Sequence, residues 1–295
     1  MIDNNNDHTR WDSVVRDLRN QSGLAVLDLP EDTASIPATA FALARSFFQQ
    51  QPHDTVHTLS PDTPSAHATG YHPAGGCLSR KYNLFRQGLI YSDDHHTIPG
   101  LSPALEKALA LLRHTMHDLG EQVVAALEKD LELEVSWMAN HLGPSMRQHS
   151  QWHLKQYEPS SSTTDSLWLP VHTDPSLISI VILDAPGVQD GAQGLEYMHE
   201  GRWIEVPQSG HAVAIVLVGS IGAMLTGLPA CQHRVVAGGK SDRRAATLFV
   251  RPAPTALLER PPSRKLEHLP PLRRRQTFEE WNNRVSKNYR TSKKT

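Results

Sequence analysis

The sequence predicts a mainly β fold with flanking helices, closed as a jelly roll, the double-stranded β-helix. Three observations predict it. Short β-branched apolar runs, Leu177 to Leu183 and His211 to Gly219 among them, follow one another at close spacing with turn residues between. A His172-Thr-Asp174 pair and a further histidine, His233, stand sixty-one positions apart (233 − 172), enough chain to travel round a barrel and return. A long apolar stripe at helical spacing, residues 101–133, supplies a helix to pack on the outside. Three regions result: a helical and loop region over 1–135, a jelly-roll core over 136–255, and a Pro-rich segment with a basic helix over 256–295.

Composition bounds the function. At 295 residues, 39% hydrophobic and 20% charged, the chain can bury a full core and reads as an ordinary globular protein. A formal net charge of −2 gives no reason to expect a nucleic-acid partner. The longest apolar stretches, such as Ala212 to Val218, are far too short to span a bilayer. The N-terminus, Met-Ile-Asp-Asn-Asn-Asn-Asp, has neither the basic start nor the apolar core of a secretion signal. Only Cys77 and Cys231 are present, too few for a disulfide framework. A cytoplasmic monomer acting on a small molecule is the expectation.

Taken in order, Trp11 to Leu18 has apolar positions at helical spacing, and Gly23 precedes a short buried strand, Leu24 to Leu29. Asp32 to Gln50 reads as a second helix ending in Phe47-Phe48. Residues 51–100, rich in His, Pro, Gly, Ser and Asp, read as loops. Their histidines, at 53, 57, 67, 72, 95 and 96, lack the tight spacing of a zinc motif. Within them Arg80-Lys-Tyr82-Asn-Leu-Phe85-Arg86 reads as a surface strand with Tyr82 and Phe85 packed inward. Residues 101–133 form the clearest helix, with Ser102-Pro103 as N-cap and first-turn proline. Trp137 to Met146 reads as a short helix or turn, and Gln148 to Tyr157 as a strand. Leu195-Glu-Tyr-Met and Arg202 to Val206 form a hairpin pattern about His199-Glu-Gly201, and Gly219 to Pro229 reads as less regular. Prolines 254, 261, 262, 270 and 271 postpone any long helix to Phe278, where Phe278, Trp281, Val285 and Tyr289 suggest a helix packing an aromatic edge.

The chemistry lies between Val171 and Phe249. If His172 and Asp174 share a strand, its period of two puts both side chains on one face, able to grip one cation. With His233 they make two imidazoles and one carboxylate, which leave the opposite face of a metal open, as in non-haem Fe(II) oxygenases. Seventeen histidines make a chance His-x-Asp unremarkable, but strand-like runs flank this one. Ten residues past His233, Arg243, Ala245, Thr247 and Phe249 should share a strand face, with Arg244 on the other. An inward Arg243 would offer the planar fork that suits a carboxylate.

These residues resemble the isopenicillin N synthase-like family of Fe(II)/2-oxoglutarate-dependent dioxygenases. The likeness is carried by His172-Thr-Asp174, His233-Arg234-Val235, Arg243-Arg-Ala245 and Phe249, with Gly194-Leu-Glu, Trp203-Ile-Glu-Val-Pro207 and His211-Ala-Val between them. It is good over roughly 150–252. What it implies is Fe(II) held by His172, Asp174 and His233, 2-oxoglutarate bound by Arg243, and Tyr157 touching co-substrate or substrate. It also implies O2 as oxidant, ascorbate as an optional reductant, and succinate and CO2 as co-products of a hydroxylation, desaturation or cyclisation. Where the family has serine this chain has Ala245, which keeps a second member of the family open: an iron oxidase of the isopenicillin N synthase type that needs no 2-oxoglutarate. A non-catalytic metal-binding jelly roll is the third reading.

Overall fold

The computed structural model describes residues 4–50, 56–59, 69–74, 86–92, 97–143, 146–158, 167–184, 194–206, 212–236 and 242–291. The expected Arg80 to Phe85 strand, the 159–166 and 185–193 connections, and four of the loop histidines (53, 67, 95 and 96) lie outside these residues.

Eleven described strands form two antiparallel sheets. β1 (Leu24–Asp28), β2 (Gly70–His72), β3 (Arg86–Tyr91), β4 (Gln151–Tyr157), β6 (Ile178–Leu183), β9 (Val213–Val218) and β11 (Arg243–Val250) make the larger, in the order β1-β9-β6-β11-β4-β3-β2. The smaller, β5-β10-β7-β8, holds β5 (Leu167–His172), β7 (Leu195–His199), β8 (Arg202–Glu205) and β10 (His233–Val236). Sequence neighbours β5 and β6 sit in different sheets, so the chain crosses between layers just after His172. That crossing makes the jelly roll and brings distant segments to one interior.

Strand alternation sorts the side chains. On β11, Ala246, Leu248 and Val250 join the aliphatic core facing the helices, whereas Ala245 joins Tyr157, Trp168, Val181 and Val235 in a second core between the sheets. Every residue of β11 is buried. The helix-facing side is covered by α1 (Asn4–Asn20), α2 (Ser35–Gln49) and α3 (Pro103–Asp130), whose Leu109, Leu112, Met116 and Val123 are fully buried. The Ser102 hydroxyl caps α3 by accepting from the Leu105 N–H at 3.3 Å, with Pro103 in the first turn, as the residues require.

Two expectations change. Residues 51–100 are not all loop, since β2 and β3 extend the larger sheet; the apolar run Leu89-Ile-Tyr91 is long enough for a strand although His, Pro and Gly surround it. Gly219 to Pro229 contains a helix, α6 (Ser220–Thr226). Glycines lower helix propensity, but Gly222 is needed: a Cβ there would stand 2.0 Å from the Leu177 carbonyl. Beyond β11 a short turn of helix at Arg264–Leu266 precedes α7 (Phe278–Thr291), whose Phe278 and Trp281 rings stack at 6.3 Å.

The link from α3 into β4 depends on one carboxylate. Ser136, at φ +64°, offers no side-chain cap to α4 (Trp137–Leu142), which the short α5 (Met146–His149) follows. Buried Glu128 caps it from α3, accepting from the Met138 N–H at 2.7 Å and the Ser136 N–H at 3.0 Å. Removing that acceptor orphans two backbone donors, at roughly 1–3 kcal/mol. Glu128→Ala is therefore expected to lose about 2 kcal/mol of unfolding free energy in a urea titration, and Glu128→Gln less. A loss indistinguishable from zero for the alanine variant would contradict this capping role.

Candidate active site

The metal-facing segment begins at the crossing between sheets. His172 is the last residue of β5, and Asp174 follows the strand rather than lying in it. The two side chains meet because the chain turns after His172. Helix α6 holds that turn: the Asp174 carbonyl accepts from the Ser220 N–H at 2.8 Å, and the Thr173 and Ser220 hydroxyls lie 2.7 Å apart. His233 opens β10 and pairs in register with His172.

His172, Asp174 and His233 present one ligand atom each, all within 4.8 Å of one another. His172 Nε2 lies 3.5 Å from Asp174 Oδ1, His233 Nε2 lies 3.9 Å from Oδ2, and the two imidazole centroids are 4.2 Å apart. Each ring gives its Nδ1–H to a carbonyl, of Pro170 at 2.8 Å and of Cys231 at 3.2 Å. Those bonds select the tautomer with its Nε2 lone pair facing Asp174, the form a metal needs. Burial and the neighbouring His172 push the His233 imidazole down to about 4, so it is neutral at physiological pH. For Asp174 burial opposes ionisation, but His233, His172 and the Ser179 hydroxyl together hold the carboxyl below its ordinary range. Burial pushes the Cys231 thiol up to about 12, so its carbonyl and not its sulfur serves the site. Neutral imidazoles and an ionised carboxylate form a donor set that fits a divalent cation.

The cavity beside them is lined by Leu169, Val181, Leu195, Leu217 and Val235 and by polar Lys155, Tyr157, Arg243 and Thr247. Arg243 is only 4% exposed and pairs in register with Tyr157. Its guanidinium lies 5.1 Å from the centre of the Tyr157 ring and hydrogen-bonds the phenol, which Arg86 also hydrogen-bonds. Burial alone would raise the Tyr157 pKa, but Lys155, Arg86 and Arg243 lower it. The interior is thus strongly cationic away from the triad. Arg244 points the other way and is held by Asp184 at 2.7 Å and Gln156 at 3.0 Å. Arg234, next to His233, likewise serves the outer layer, bonding Glu196 at 2.6 Å over the Trp203 ring. A larger cavity of about 520 Å³, lined by Met224, Arg260, Leu272, Trp281 and Arg284, contains no triad residue.

All five residues singled out in the sequence, His172, Asp174, His233, Arg243 and Tyr157, line this one cavity. The alternation that pointed to Arg243 could also have found Lys155, two positions before Tyr157 on the same face. Lys155 stands between Gly88 and Ala245, its register partners, and small residues on both sides leave it room.

Two imidazoles and one carboxylate facing the interior of a jelly roll are a donor set suited to a mononuclear non-haem metal site. Residues 140–252 match the family model of the 2OG-Fe(II) oxygenase superfamily. Flavanone 3-dioxygenase 2 of Oryza sativa subsp. japonica is 27% identical over 191 residues, covering 62% of this chain and 52% of the relative. A probable 1-aminocyclopropane-1-carboxylate oxidase of Dianthus caryophyllus is 23% identical over 162 residues, covering 55% and 49%. The chain spans about half the length of these curated relatives. Among solved structures, a full-length Neurospora crassa protein in complex with alpha-KG superposes with a TM-score of 0.76 at 14% identity, covering 97% of this chain and 92% of that one. JOX2 in complex with 2OG, Fe and JA gives 0.74 at 17%, covering 93% and 80%. At such identities the structural likeness shows the fold.

Buried histidines set a pH dependence away from the triad. Burial, helped by the Arg86 charge, pushes His72 down to about 4, against 6.5 in an unfolded chain, and His153 is lowered in the same sense. The unfolded chain therefore binds protons first, and stability falls as pH drops from 6.5 towards 4. The melting temperature of metal-free protein should decline across that window, and less steeply for His72→Gln. A flat profile would contradict the assignment.

Proposed function

We propose that this protein is an Fe(II)- and 2-oxoglutarate-dependent dioxygenase that oxidises a small molecule. The observation that carries the reading is that the three donor atoms of His172, Asp174 and His233 converge beside a cavity that also buries Arg243. His172 Nε2, His233 Nε2 and an Asp174 oxygen would hold iron on one face. Iron bound there, with 2-oxoglutarate and O2, supplies removal of hydrogen from a substrate carbon, with succinate and CO2 as co-products.

The chain's own residues divide the remaining work. Arg243 takes the distal carboxylate of 2-oxoglutarate as a charged fork, and its burial makes that pair stronger than it would be in water. Tyr157, held between Arg243 and Arg86, orients the same end. Val181, Leu195, Leu217 and Val235 exclude water from the space between Arg243 and the metal ligands. Residues 136–255 would be the catalytic unit, with β1, β2 and β3 of the preceding region completing its larger sheet. A cytoplasmic location suits the scarce cysteine.

Ala245 favours a second reading, an iron oxidase that draws its electrons from substrate and needs no 2-oxoglutarate. Adding Fe(II) and 2-oxoglutarate without oxygen separates the readings. A weak visible charge-transfer band supports the dioxygenase, iron binding without the band supports the oxidase, and no iron binding favours the non-catalytic jelly roll. With oxygen and a metabolite extract, succinate release is expected from the wild type and not from Asp174→Ala. Restoring the missing hydroxyl should also matter: Ala245→Ser is expected to tighten 2-oxoglutarate binding roughly fivefold, the equivalent of about 1 kcal/mol for one hydrogen bond. Unchanged affinity by calorimetry would show that other groups already satisfy the carboxylate.

A further inference from the structure

The two ends of β11 face different parts of the cavity. Arg243 begins the strand opposite Tyr157, and Phe249 lies near its end opposite Ser179, whose hydroxyl hydrogen-bonds Asp174. The Phe249 end is therefore the metal end. Arg251 follows directly on the last residue of β11, Val250.

Three basic side chains surround the Phe249 ring. The His153 ring meets it edge-on at 5.0 Å, Lys155 Nζ lies 5.5 Å from its centre, and Arg251 Cζ also lies 5.5 Å away. Neither nitrogen of His153 reaches solvent or has a hydrogen-bond partner, and the same is true of Arg251 Nε. Such buried, unsatisfied donors are costly in a folded protein and call for a ligand or another compensation. The acid whose charge acts on Arg251 is Asp174, which the proposed metal already claims.

Charge balance gives the ligand's sign. On the iron and 2-oxoglutarate reading, the metal, Asp174, the co-substrate dianion and Arg243 sum to zero. Lys155 and Arg251 then remain, with Arg86 beside Tyr157, as positive charge in a poorly solvated space, where burial lowers the pKa of Lys155 and Arg251. Burial and the charges of Lys155, Arg251, Arg86 and His72 keep His153 neutral, so it does not add to the repulsion.

We propose that the molecule oxidised here is an organic carboxylate, its anionic group drawn to the Phe249 end of the cavity by Lys155 and Arg251, with Phe249 covering its carbon skeleton. This rests on the iron and 2-oxoglutarate reading for the location of the reacting carbon. The carboxylate anchor lies at the metal end, apart from Arg243, so it is separable from co-substrate binding.

The test uses full-length protein loaded with Ni(II) and saturated with 2-oxoglutarate. A panel of small carboxylic acids, benzoate and phenylacetate among them, is titrated against the matching neutral amides by calorimetry. The wild type is expected to bind acids about tenfold more tightly than amides, as suits a charge-assisted hydrogen bond. Arg251→Gln should lose that preference, and Arg251→Lys, which keeps the charge, should retain part of it. Equal binding of acids and amides, no binding of any acid, or a preference that survives in Arg251→Gln would each overturn the proposal. If the wild type forms no charge-transfer band with Fe(II) and 2-oxoglutarate, the dioxygenase reading fails instead. An Arg251-dependent acid preference would still stand in that case.

Discussion

The burial of β11 on both faces is the constraint on which the rest depends. A strand that presents Ala246, Leu248 and Val250 to the helices must present Arg243, Ala245, Thr247 and Phe249 to the space between the sheets. A guanidinium placed there has little water to solvate it, and burial shifts its pKa down. Such a charge persists inside a fold only with partners. Tyr157 is one, and a bound carboxylate would be a stronger one.

The triad is held by a different device. His172 and His233 are fixed by neighbouring strands in register, and Asp174 by a loop tied to α6. Gly222 lets that helix sit against the Leu177 carbonyl, so a position without a side chain underlies the placement of a charged one. Each imidazole is oriented by a backbone carbonyl two residues before it in the chain. A local turn thereby sets which nitrogen faces the cavity.

Much of this was legible in the sequence because it rests on local rules. Period-two alternation separated Arg243 from Arg244, the apolar stripe and Ser102-Pro103 marked α3, and the spacing of His172 and His233 matched a chain returning through a barrel. What stayed hidden was tertiary. Helix α6 forms against the glycine content of its own segment because packing on the loop at Ser176 and Leu177 requires those glycines. The short strands β2 and β3 are stabilised by pairing with each other and with β4, which no window of sequence displays. Period-two alternation would put Asp174 on the strand with His172, but the chain leaves the sheet between them. The period of two that finds Tyr157 also reaches Lys155 and His153 on β4, whereas Arg251 lies just past the end of β11 and carries no such mark.

A crystal structure of the protein grown without oxygen with Mn(II) and 2-oxoglutarate tests the central claim most directly. Density is expected for one metal bonded to His172 Nε2, His233 Nε2 and an Asp174 oxygen. A dicarboxylate should run from that metal to the Arg243 guanidinium. A metal bound elsewhere, or a co-substrate whose distal carboxylate ends away from Arg243, would contradict the account.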